Sequence, residues 1–243
     1  MASEIALLTG LAFIGALVVG VTGFGSALVT IPIATHFVPL QFALPLFALV
    51  DLSTALSVGL ENPRNAARGE WRRLVPMILV GTALGVTLLV NLPRAAGMFL
   101  LGAFVLAYAL YSLLHRGPAR VINPAWAWLA GLAGGITSTL FGAGGPPYAI
   151  YLSQRGLTKE QFRATMGFST MTSISVRVLA FAITGLLLQR DVWLTALAAV
   201  PAALLGLWLA RRFYLRISRE TLMRAVALIL LASGGSLVLR ALH

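Results

Sequence analysis

Long apolar blocks run through this chain with few interior polar positions, and short polar clusters cut them into ten pieces. In the first half the runs cover about residues 4–21, 24–37, 41–60, 72–91 and 95–114, and in the second about 124–140, 145–153, 161–187, 192–210 and 220–240. Within each run the apolar residues fill every face of the helix they would form, as lipid surroundings require. Crossing a hydrocarbon core of ~30 Å takes ~20 such residues. The runs at 24–37 and 145–153 are too short: 14 residues at 1.5 Å each reach ~21 Å. Their ends are therefore expected inside the membrane, where irregular backbone survives only beside protein or a polar cavity. The pattern predicts an all-α, polytopic integral membrane helical bundle.

Each short run opens on glycines, Gly23-Phe24-Gly25-Ser26 and Gly142-Ala143-Gly144-Gly145, 119 positions apart. Further matches follow: Gln41-Phe42 with Gln161-Phe162, Ser53 with Ser173, and Trp71 with Trp193. These point to two repeats, at about 4–115 and 124–241, joined through 115–123 and packed as one domain over 1–243. Duplicated transporters with broken segments hold their ligand where the two breaks meet.

The basic residues decide how the breaks are counted. If each break reverses the chain, one side receives Arg64, Arg68, Arg72, Arg73, Arg116, Arg120, Arg155, Lys159, Arg163, Arg211, Arg212, Arg216 and Arg219, and the other only Arg94, Arg190 and Arg240. If each break is a kink, the same residues divide equally. Positive residues collect on the cytoplasmic side, so reversal is the reading, with five passes per half. An odd number of passes makes the halves inverted copies and puts both termini outside.

Composition narrows the class. The chain is 59% hydrophobic and 10% charged, against roughly 25% charged in soluble domains. Its net charge of +11 is spread over short loops without a basic, aromatic-laced stripe. Anionic membrane lipids are thus the expected partners and nucleic acid is not. With no cysteine, disulfides and thiolate metal sites are excluded, and no cofactor or metal is expected. The residues after Met1 lack the basic n-region of a cleaved signal, so the first helix is expected to stay in the membrane. No H-E-x-x-H or G-x-x-x-x-G-K-[ST] motif occurs, and the chain does not read as an enzyme.

Helices starting after Gly25 and Gly145 would leave their first amides unpaired, and the helix dipole favours anions there. Ser26 suits a cap of the first; Pro146 and Pro147 suit the opening turn of the second. Gly23, Gly25, Ser26, Gly142, Gly144 and Gly145 are candidate substrate contacts, the alternative being glycines that only admit close packing. Gly81, Gly85, Gly131 and Gly135 read as packing faces. Arg177 lies mid-segment, where a charge costs ~2.5–3.5 kcal/mol and faces a bundle interior; its two-pronged guanidinium suits a sulfonate or carboxylate. Asp51 is its candidate counter-ion or a proton-coupling group. Ser57, the repeat counterpart of Arg177, together with Ser173 and the hydroxyls of Ser53, Thr54, Ser169, Thr170, Thr172 and Ser175, either lines the same cavity or bonds its own helix. Tyr148 is a pocket residue or a packing one. His36 is expected at the interface.

These residues resemble the TauE/SafE family, also called toluene sulfonate uptake permeases. The resemblance rests on Gly23-x-Gly25 leading to Ile31-Pro32, and on Phe141-Gly142-x-Gly144-Gly145. Ser26 and the run from Pro146-Pro147 to Ile150-Tyr151 depart from the usual glycine and Val-Pro. The resemblance implies a secondary transporter of sulfite, organosulfonates or similar small anions in the bacterial inner membrane. The rival functions are a passive anion channel and a non-transporting scaffold. Monomer and homodimer are both open.

Overall fold

The computed structural model describes residues 2–23, 25–114, 121–213 and 219–242. Phe24, Arg116, Arg120, Arg216 and residues 115–120 of the joining stretch lie outside the described residues. The described chain is all-helical: α1 (Ala2–Thr22), α2 (Ser26–Ala34), α3 (Leu40–Gly59), α4 (Arg68–Asn91), α5 (Arg94–Leu114), α6 (Trp126–Phe141), α7 (Gly145–Ser153), α8 (Lys159–Ile183), α9 (Arg190–Phe213) and α10 (Arg219–Leu242), with a 3-10 turn at Pro63–Asn65. Each apolar run has become a helix.

Both glycine breaks reverse the chain. In a continuous helix Gly15 and Thr30 would stand ~22 Å apart, yet a methyl added at Gly15 would lie 2.6 Å from Thr30 Cγ2. One added at Gly134 would lie 2.1 Å from the Tyr148 ring. Thus α2 folds back on α1, and α7 on α6. Gly23, Gly25 and Gly142 have φ of +86°, +96° and +69°, a region that glycine enters without a Cβ penalty.

The arginine-rich connections gather at one end of the bundle. Glu61, after α3, pairs with Arg211 near the end of α9 at 2.9 Å and with Arg163 at 3.5 Å. Glu70, at the start of α4, pairs with Arg155 beyond α7 at 3.0 Å. The start of α9 lies ~30 Å of helix away from Arg211; there Asp191 shares a cavity with Glu4 and Gln41. So α1 begins at the end opposite the arginines. By contrast α6 begins among them, since Arg155 Nη1 donates to the Ile122 carbonyl.

Helix packing repeats between the halves. α4 packs along α6 as α9 packs along α1, α5 meets α10, and α3 meets α8. Small residues set these distances. A methyl on Gly81 would fall 2.3 Å from the Leu132 carbonyl oxygen, and one on Gly135 2.6 Å from that of Ile78. The expected packing role of these glycines is therefore observed.

The outer faces are apolar, with Leu84, Trp128, Leu129, Leu197, Leu205 and Trp208 among the exposed large side chains. Among the described residues five helices are long and apolar enough to cross a membrane. Water would not tolerate so much exposed apolar surface on a monomer.

Candidate functional site

The two breaks touch. A methyl on Gly142 would sit 2.4 Å from Ile31 Cδ1 and 2.8 Å from Ala27 Cβ, both on α2. Beside this contact lies a cavity of about 50 Å³. Gly23, Gly25 and Ser26 line it from the first break, and Ser138 with residues 142–145 from the second. Asp51 and Thr54 of α3, Tyr148 of α7, and Thr170 and Ser173 of α8 add polar wall, while Val19, Ala55, Val58 and Ile174 add apolar wall. Of the candidate contacts, Gly23, Gly25, Ser26, Gly142, Gly144, Gly145, Tyr148, Ser173 and Asp51 all reach it.

Arg177 and Ser57 do not belong to that wall. Arg177 is fully buried just behind it. Its Nη2 donates to Asp51 Oδ2 at 3.0 Å and its Nη1 to the Ser138 carbonyl at 2.8 Å, while its Nε has no protein partner. The expected counter-ion relation with Asp51 is present; direct exposure of the guanidinium to a ligand is not. Ser57 donates to the Ser53 carbonyl at 3.0 Å, the internal bond common for serine in membrane helices.

Ser26 departs from expectation as well. It is the first residue of α2, Gly25 holds the cap position, and no side-chain cap bond forms. The Ser26 hydroxyl instead donates to Asp51 Oδ1 at 2.5 Å. A charged acceptor outcompetes the helix's own amides for that proton. A chain of bonds results: Ser26 to Asp51, Asp51 to Arg177, and Arg177 to Ser138, where the Gly142 amide also donates at 2.9 Å. The first break is thus tied through α3 and α8 to the second.

The two helix starts are unequal. α2 begins at Ser26 with no side-chain cap bond, so its first amides, from Ser26 to Leu28, have no partner within the helix. α7 covers Gly145–Ser153, the extent of its apolar run, and carries prolines in its first turn. Pro146 and Pro147 have no N–H, so the second start contributes its dipole and few donors. Gly144 is also needed for packing, because an added methyl would meet the Gly134 carbonyl oxygen at 2.8 Å.

Most of the hydroxyl tract bonds its own helix: Ser169, Thr170 and Thr172 donate to carbonyls four residues earlier, and Ser175 is exposed. Tyr148 is fully buried, and its hydroxyl donates to Ser173 at 3.0 Å. His36 Nδ1 lies 2.8 Å from the Pro32 carbonyl oxygen and Nε2 lies 3.0 Å from Ser236 Oγ, away from the cavity.

Two broken helices that reverse inside a lipid-facing bundle, and meet at a small cavity with polar groups in its wall, define a membrane transporter. The chain belongs to the family described as sulfite exporter TauE/SafE, which it matches over residues 8–237. It is 27% identical over 196 residues to the probable inner membrane transporter protein TsaS of Comamonas testosteroni, covering 79% of this chain and 81% of that one. It is 28% identical over 229 residues to the probable sulfite/organosulfonate exporter TauE of Cupriavidus necator, covering 91% and 89%. No solved structure matches.

Proposed function

We propose that the chain is a secondary transporter that moves a small organosulfonate or sulfite-like anion, together with a proton, across a bacterial inner membrane. The observation that carries this reading is the amide-rich start of α2 opening on the same cavity as Asp51, with the Arg177 guanidinium against the carboxylate at 3.0 Å. Anions favour such a helix start. The description of the TauE relative as a probable sulfite/organosulfonate exporter supports the substrate class, and that of TsaS as a probable inner membrane transporter supports the membrane.

Proton coupling follows from the local charges. Paired, Asp51 and Arg177 sum to zero, and an anion seated ~4 Å from an ionised carboxylate meets ~4 kcal/mol of repulsion at a surface-like dielectric. A proton on Asp51 removes that repulsion and leaves the Arg177 charge uncompensated behind the wall, where it attracts the anion at longer range. Anion and proton then bind together, each raising the affinity for the other. The exchanged packing of the halves supports inverted copies whose rocking exposes the cavity to each side in turn. The arginine-rich end is the cytoplasmic one, with both termini outside.

The test is uptake by purified protein in liposomes across sulfite, sulfoacetate, taurine, sulfate and acetate, under imposed pH gradients. Sulfite or sulfonate entry accelerated by acid on the side of the anion is expected. Sulfite and sulfonate flux no faster than from empty liposomes would sink the transport reading; flux indifferent to the gradient would sink the coupling.

A further inference from the structure

The two halves are not closed alike. At the end where α1 begins, the starts of α1 and α9 and the connection from α2 to α3 surround a cavity of about 400 Å³. Exchanging the halves, the matching elements are the starts of α6 and α4 and the connection from α7 to α8. There the three are drawn together around Glu70. Arg155 Nη2 and Arg73 Nη1 donate to Glu70 Oε1, each at 3.0 Å, and the Tyr151 hydroxyl donates to Oε2. Arg155 Nη1 reaches on to the Ile122 carbonyl before α6. Leu74 of α4, Ala127 of α6, Leu152 of α7 and Met166 of α8 pack behind the cluster.

Tyr151 stands one turn from Tyr148 on α7, so the two share a face. Tyr148 lines the central cavity and bonds Ser173, while Tyr151 bonds Glu70. Nine residues of unbroken helix join the two tyrosines, so a displacement of α7 at Glu70 has a direct structural route to the cavity. Stability alone gives little reason for the arrangement, because a buried ion pair is commonly no better than well-packed apolar residues. A charged clamp differs in that it can be broken and remade.

We propose that Glu70 is a positioning residue for transport: it clamps the far end of α7, fixes the anion-facing start of that helix, and keeps the arginine-rich end shut. The inference rests on the transport reading above. Release of the clamp opens the central cavity toward that end, and a state resembling the open cavity around Glu4 and Asp191 forms there.

The chain has no cysteine, so Ala55→Cys on the cavity wall supplies a single thiol. Its labelling by a charged methanethiosulfonate is followed in vesicles from each side, the arginine-rich side being identified by a separate Gly69→Cys protein. Glu70→Gln, and Tyr151→Phe as the milder change, are expected to speed labelling from that side about tenfold or more, the equivalent of a lost charge-assisted bond. The rate from the opposite side should not rise. Equal acceleration from both sides would mean general loosening and would overturn the clamp, as would unchanged rates in Tyr151→Phe with monodisperse protein. Sulfite binding by the parent protein is measured separately. Its absence would sink the anion reading while the labelling still decides the clamp.

Discussion

Arg177 and Asp51 form the pair on which the centre of the molecule depends. Their side chains are 0% and 5% exposed, so neither charge is relieved by water. Removing one partner leaves the other buried and uncompensated, which costs ~3–5 kcal/mol. Arg177→Gln is therefore expected to destabilise the protein by about that amount, and adding Asp51→Asn to recover most of it. Thermal unfolding in detergent checks both; additive losses would mean that the pair is not coupled. Asp51→Asn alone should bind an alkanesulfonate, which stays ionised across the whole pH range, with an affinity independent of pH, because the group that takes up the proton is gone. Persistent pH dependence would place the proton elsewhere. Arg177 was conspicuous in the sequence because a lone charge at depth needs a reason. Its partner Asp51 was equally conspicuous as an acid at depth, whereas Ser138, whose carbonyl it holds, carried no signal at all, since any residue supplies a carbonyl.

At the level of elements, the short helices are set by glycine conformation more than by helix propensity. Gly25 has φ +96°, and a Cβ built there would touch little besides Leu28 Cδ1 at 3.7 Å. The position is demanding in backbone angle and permissive in space. Asparagine visits the left-handed region, whereas β-branched residues do not. Gly25→Asn is expected to fold with little loss, and Gly25→Val to lose at least ~1–2 kcal/mol, read as a lower unfolding temperature in detergent. Equal losses would mean that space, rather than angle, governs the site. The helices themselves were legible, because lipid demands apolar residues on every face and polar punctuation marks each end. The start of α4 was not. Arg68 to Arg73 reads as a polar loop, and α4 was expected from 72, yet Glu70 is buried at 9% exposure within the first turn. The i,i+3 pair with Arg73 is local, but burial comes from Tyr151 and Arg155, which lie more than 80 residues away.

For the whole molecule, the charge asymmetry and the two reversals describe one arrangement. The ion pairs of Glu61 with Arg163 and Arg211, and of Glu70 with Arg155, hold the basic connections at a common end. Cysteines at Gly69 and Arg212 are expected to react with an impermeant reagent from the cytoplasmic side, and one at Ser3 from the opposite side. Reaction of positions 3 and 69 from the same side would overturn the five-pass count and the inverted relation built on it.

The linear order of residues determined the solvent in which the protein folds, the ten helices of the described residues, the two breaks and the end at which the positive charges gather. Each of these follows from local composition read against a bilayer, and needs no knowledge of what packs against what. The tertiary structure alone decided which groups share a cavity. It set Arg177 behind the wall, turned Ser26 from a cap into a donor to Asp51, and brought Glu70 under α7. Those outcomes depend on contacts between helices far apart in sequence, where a shift of one turn, ~5.4 Å, exchanges one partner for another.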